Sequence, residues 1–136
     1  MKRYALILAT MLFAVTSLMA QDFNQTDAKG RRQGRWHDYY PNGQLRYEGE
    51  FKNDKCKGIF RYYDEQGNLK ATNEFDKSGE RALNKTYAPN GRVVATGSYL
   101  NQKKDGEWRY YDASSGQLRM VEDNKEGKVH GWSRLY

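Results

Sequence analysis

The sequence predicts an all-β fold: an antiparallel meander of about eight to nine strands, built from four β-hairpin repeats of ~24 residues in a single twisted, coiled sheet. Three observations carry that expectation. Two glycine series run in step, Gly43, Gly67, Gly91 and Gly116 in one, and Gly34, Gly58, Gly106 and Gly131 with Ala82 interposed in the other. Between them, aromatic and β-branched runs such as "RWHDYY" and "LRYEGEF" flank the hairpin signal "PNGQ". No stretch repeats its apolar residues at the 3.6-residue period of a helix.

Taken in order, residues 1–20 read as a signal peptide, 21–33 as a lead-in and 34–136 as the repeat domain. Lys2 and Arg3 precede an apolar run from Tyr4 to Ala20, and Ala20 offers a small residue for cleavage. That run is 17 residues, at the short limit for a membrane-spanning helix of about 20. The expected localisation is therefore export, to the periplasm or the extracellular space. Removing residues 1–20 takes away Lys2 and Arg3 and no acidic residue, so the net charge falls from +6 to +4. The remaining charges alternate in sign, as in "RYEGEFKNDKCKG", which argues against a nucleic-acid surface. Cys56 is the single cysteine, which excludes an intrachain disulfide.

Each unit reads as strand, turn, strand, with a polar Gly-bearing link to the next: "KNDKCKG", "KSGERA", "NQKKDG" and "KEGKVHG". Asn-Gly predicts a two-residue type I′ turn. That register sets Tyr40 opposite Leu45, Tyr39 opposite Arg46, Asp38 opposite Tyr47 and Trp36 opposite Gly49, with the indole lying over the glycine. Trp36, Asp38, Tyr40, Leu45, Tyr47 and Phe51 then share an apolar face. The other face is polar, with Arg35, His37, Tyr39, Arg46, Glu48 and Glu50. In the third unit Asn84 faces Gly97 where its neighbours carry a ring, which predicts a shallow gap or an altered twist.

The pattern G-x-W/F-x-x-Y, then N-G-x-L, then a closing aromatic and a Lys-Gly link resembles the MORN-repeat variant family (membrane occupation and recognition nexus). It is carried by "GRWHDYYPNGQL", "GIFRYYDEQGNL", "YAPNGRV" and "GEWRYYDASSGQL". The opening "NQTDAKGRRQGRW" resembles that of exported bacterial members. The resemblance implies a scaffold or binding surface. Some relatives are labelled as antitoxins, which implies the alternative of an antitoxin or immunity-type protein that neutralises a partner toxin.

The candidate binding residues form a row on the polar face, Tyr39, Tyr63, Tyr87 and Tyr111, each ~9.5 Å from the next across two strand spacings. Arg46, Lys70 and Arg119 are their expected basic cross-strand neighbours, and Val94 takes that place in the third unit. Such pairs suit a protein partner or weak contact with lipid or glycan, at about 0.5–1 kcal/mol per exposed cation–π pair. They equally suit plain cross-strand stabilisation of about 0.2–1 kcal/mol each. His37 and His130 lie about four units apart, and no nucleophile–base or metal-ligand spacing occurs, so no enzyme activity, metal or cofactor is expected. The apolar face is covered either by coiling of the sheet on itself or by a second copy in a homodimer.

Overall fold

The computed structural model of the protein describes residues 22–136, and the signal expected at 1–20 lies outside the described residues. Ten strands follow in chain order: β1 (Gln25–Thr26), β2 (Arg32–Tyr39), β3 (Leu45–Lys52), β4 (Lys55–Tyr63), β5 (Leu69–Phe75), β6 (Arg81–Tyr87), β7 (Val93–Leu100), β8 (Lys103–Tyr111), β9 (Leu118–Lys125) and β10 (Lys128–Leu135). They form one sheet whose spatial order is the sequence order. The additional strand comes from the lead-in, whose two-residue β1 pairs with the start of β2. Asn24 extends that pairing with its side chain, accepting from the His37 N–H at 2.8 Å and donating to the His37 carbonyl at 2.9 Å.

The turns are assigned differently from the sequence expectation. Within a unit, Gly43 N–H donates to Tyr40 C=O and Tyr40 N–H to Gln44 C=O, leaving the three-residue loop Pro41-Asn42-Gly43. Gly43 has φ +86° while Asn42 keeps a negative φ, so this is a type I turn closed by a glycine bulge. The second and third hairpins repeat it at Gly67 and Gly91, and the fourth holds one extra residue, with Gly116 N–H donating to Asp112 C=O. Adjacent positive-φ pairs, as a type I′ turn requires, occur instead in the links: Asn53-Asp54, Asn101-Gln102 and Glu126-Gly127.

The longer loop changes the register near it. Trp36↔Gly49, His37↔Glu48 and Asp38↔Tyr47 pair as expected, but Tyr39 stands opposite Leu45 and Arg46 becomes the unpaired extra residue of a bulge. Lys70, Val94 and Arg119 are skipped in the same way.

A second bulge separates the units. Glu48↔Arg61 and Glu50↔Lys57 leave Gly49 facing Gly58, Ile59 and Phe60. Gly58 takes φ +67°, a conformation that costs a residue with a Cβ about 1–2 kcal/mol. The extra residues bring the Phe60 ring over Gly49, where a Cβ on the glycine would lie 2.5 Å from the ring. Gly106 and Trp108 repeat the device over Gly97, at 2.2 Å. The ring covering Gly49 therefore belongs to the following unit and is not Trp36. In the third unit Ala82 replaces the glycine, the β5–β6 register runs without a shift, and its link widens from two residues to the four between Asp76 and Arg81. The two residues that other units place in the bulge lie here in the loop.

The core is a chain of rings. Phe60 and Trp108 are 2 % and 1 % exposed. Phe60 meets Phe51 and Phe75 edge-on at 5.1 and 5.3 Å, and Trp108 meets Tyr99 at 5.0 Å. Basic side chains help to cover this layer: the Arg32 guanidinium lies 3.9 Å from the Phe51 centroid and Lys104 Nζ 4.7 Å from that of Trp108. The sheet thus buries three large rings, Phe51, Phe60 and Trp108, within a single layer, with no helix among the described residues to cover them.

Candidate functional site

Alternation along a strand places the expected tyrosine row on one face, one residue at the end of each of β2, β4, β6 and β8. Tyr39 is 54 % exposed, with its hydroxyl 3.4 Å from His37 Nδ1. Tyr63 is held more firmly, donating to Glu48 Oε1 at 3.0 Å. Burial and that bond raise its phenol above the ordinary range. Tyr111 ends β8 two residues after Arg109, whose guanidinium pairs with Glu107 at 2.6 Å. Tyr87 is half-buried among Leu83, Lys85 and Thr96.

The basic neighbours assigned to that row do not meet it. Arg46 forms an ion pair with Asp38, Lys70 Nζ lies 3.5 Å from the Tyr40 hydroxyl, and Arg119 pairs with Asp112 at 3.2 Å. The cause is the bulge at each of these positions, which takes the basic residue out of register with its tyrosine. The tyrosines form a row, and the alternating Tyr–Arg ladder is absent. His37 Nε2 lies 3.5 Å from Glu48 Oε2, and Lys57 Nζ forms an ion pair with Glu50 at 3.3 Å. Among the described residues, no group of three or more His, Cys, Asp and Glu side chains is placed to hold a metal.

The opposite face carries a recess of about 520 Å³ at the third unit. Tyr62, Asn73, Asn84, Thr86 and Tyr99 line it. Asn84, 5 % exposed, donates to Asn73 Oδ1 at 2.7 Å and accepts from the Thr86 hydroxyl at 2.8 Å. Burial raises the Tyr62 phenol above its ordinary value, outweighing the opposing effect of the Asn73 carboxamide. Burial likewise raises Tyr99 and the Cys56 thiol. The four-residue link walls one side, with Gly79 so close to β4 that a Cβ would lie 2.9 Å from the Cys56 carbonyl oxygen. The sequence signalled this gap through Asn84, but not the amide network that lines it.

Comparison with known proteins bears on the first two units directly. Residues 32–53 and 57–77, hairpins β2–β3 and β4–β5 with their closing links, match the family model of the MORN repeat variant. No curated protein matches the chain. The third hairpin repeats the same turn, both later hairpins the strand-end tyrosine, and the fourth the glycine bulge and ring. By these matches and the hairpin architecture they build, the chain carries repeats of the MORN repeat variant type at residues 32–53 and 57–77.

Proposed function

We propose that the protein is a non-catalytic repeat module, exported to the periplasm or cell envelope, that serves as a protein-binding or scaffolding surface. The observation that carries this reading is the tyrosine row: Tyr39, Tyr63, Tyr87 and Tyr111 recur on one face at every second strand. A phenol presents a large apolar area and a polar tip at a low cost in side-chain entropy, which suits it to protein contacts. A partner with its own period of about 9.5 Å, such as a second repeat array, would meet several copies at once. Lys2, Arg3 and the apolar run to Ala20 support export.

The test is a pull-down of the processed protein from the envelope fraction of its own cells. A partner retained by the wild type and lost by Tyr39→Ala combined with Tyr63→Ala, with the far-ultraviolet spectrum unchanged, is the expected outcome. Equal retention by the double variant would overturn the reading. Amino-terminal sequencing of the exported form is expected to begin near Gln21. Recovery of the chain in the cytosol with residues 1–20 intact would remove the envelope role. Relief of a neighbouring toxin on co-expression would favour the antitoxin reading instead.

A further inference from the structure

The recess at the third unit exists because two substitutions in the repeat coincide. Where the second and fourth units set a ring on a glycine of the preceding strand, Phe60 on Gly49 and Trp108 on Gly97, the third sets Asn84 beside Asn73. A bulky apolar ring has been exchanged for two carboxamides, and the space that the ring would fill is open. Its walls remain aromatic, with Tyr62 and Tyr99 lining it from β4 and β7. We propose that this recess binds a neutral glycan, one hexopyranose ring of the chain lying where the neighbouring units hold their own aromatic ring.

Four features select that chemistry. The volume, about 520 Å³, falls within the roughly 300–1,000 Å³ of small-molecule sites. The charged lining residues are Lys70 and Glu80, one of each sign, in a chain that is otherwise basic, so the site gives no preference to phosphate or carboxylate. A carboxamide offers a donor and an acceptor side by side, the pattern that adjacent sugar hydroxyls complement. Asn73 and Asn84 are already tied to each other and to Thr86, which fixes their orientation before anything binds. The Tyr62 phenol, which lines the recess, has an O–H to give to a ligand oxygen, and the Thr86 oxygen, which donates its proton to Asn84, keeps lone pairs to accept with. The phenol faces of Tyr62 and Tyr99 supply apolar area for the carbon-bound hydrogens of a pyranose. This site lies on the face opposite the tyrosine row and stands whether or not a protein docks there.

The experiment is a titration of the full ¹⁵N-labelled chain with maltohexaose, cellohexaose and chitohexaose, read at the side-chain amide signals of Asn73 and Asn84 and, in every variant, at the backbone amides of β5 and β6. Inositol hexakisphosphate and N-acetyltryptophanamide serve as a phosphate probe and an aromatic-residue probe. At least one hexasaccharide is expected to shift both amides in a saturable way at millimolar concentration or below, and neither control probe to do so. Asn73→Gly combined with Asn84→Phe rebuilds the Gly49–Phe60 arrangement and is expected to keep the fold and weaken binding at least tenfold. Thr86→Val, which keeps the side-chain shape, is expected to weaken it about threefold and decides the matter if the double variant does not fold. The proposal is overturned if none of the three hexasaccharides shifts these amides, or if a control probe alone does. It also falls if the rebuilt variant binds as tightly as the wild type or, should that variant not fold, if Thr86→Val does.

Discussion

The third unit and the fourth have nearly the same length and solve the same packing problem in opposite ways. The fourth places Gly106 at φ +75°, bulges β8 and lays Trp108 onto Gly97. The third has Ala82, keeps a regular ladder and places an asparagine pair at the corresponding site. A positive-φ glycine and a large ring therefore act as one device: without the bulge the ring is not delivered, and without the bare glycine beneath it there is no room. In the third unit the members are exchanged together, and the link absorbs the two residues that remain.

The largest test of that contrast is Trp108→Ala. The ring is 1 % exposed, donates to the Ser98 carbonyl at 2.9 Å, and its removal is expected to cost about 3–5 kcal/mol in urea denaturation. Asn84→Ala at the corresponding site is expected to cost less, about 1–3 kcal/mol, through the polar partners it abandons. Equal losses would show that the two units do not differ in the way described. Gly97→Ala comes next, since its Cβ would enter the indole: a loss of about 1–3 kcal/mol is expected, and an unchanged midpoint would mean the ring can slide aside.

Smaller effects separate backbone from contact. Gly106→Ala meets nothing within 4 Å, so its loss, about 1–2 kcal/mol, would be purely conformational. Ala82→Gly in the regular β6 is expected to cost about 0.5–1 kcal/mol through chain entropy, and a gain in stability would show that the third unit prefers the bulge after all.

The smallest effect is acid sensitivity, and it too differs between the units. The Ser114 hydroxyl foremost, then the Ser115 N–H and hydroxyl and Arg119, hold the Asp112 carboxyl far below the ordinary value of 3.8. In the widened link Asp76 is lowered in the same sense, chiefly by the Ser78 hydroxyl. A depressed carboxylate contributes stability that is complete above its unfolded pKa and is lost as the pH falls through its folded one. The urea midpoint is therefore expected to hold down to about pH 4 and to decline below it. Asp112→Asn is expected to flatten that decline more than Asp76→Asn, and the reverse order would contradict the assignment.

Much of this was legible in the residues. The hairpin unit, the two faces, Trp36 opposite Gly49 and Asn84 opposite Gly97 follow from spacing and alternation, and the structure has each of them. The turn type did not follow, because Asn-Gly fits a two-residue type I′ turn and also a type I turn with a glycine bulge, and these differ by one residue of loop. That single residue displaced Arg46, Lys70 and Arg119 from the tyrosines assigned to them. The glycines at 34, 58 and 106 were visible as a repeat, and a glycine inside a strand pattern is itself a bulge signal. What the sequence could not supply was the reach of the bulge, which carries a ring across to the unit before it. Two-residue β1 escaped for a simpler reason: it is too short for any alternation to register.

The strictly sequential strand order has a mechanical consequence. Every strand pairs in the ladder only with its neighbours in the chain, so the outermost strands, β1 and β10, lie at opposite ends of the sheet. A tension applied between those ends acts across the strands, along the ladder bonds, and peels them a few at a time instead of shearing a whole strand at once. Such a sheet yields hairpin by hairpin from its margins, at low force and with short reversible steps. Under load it behaves as an extensible tether whose stiffest links are the two ring-on-glycine contacts.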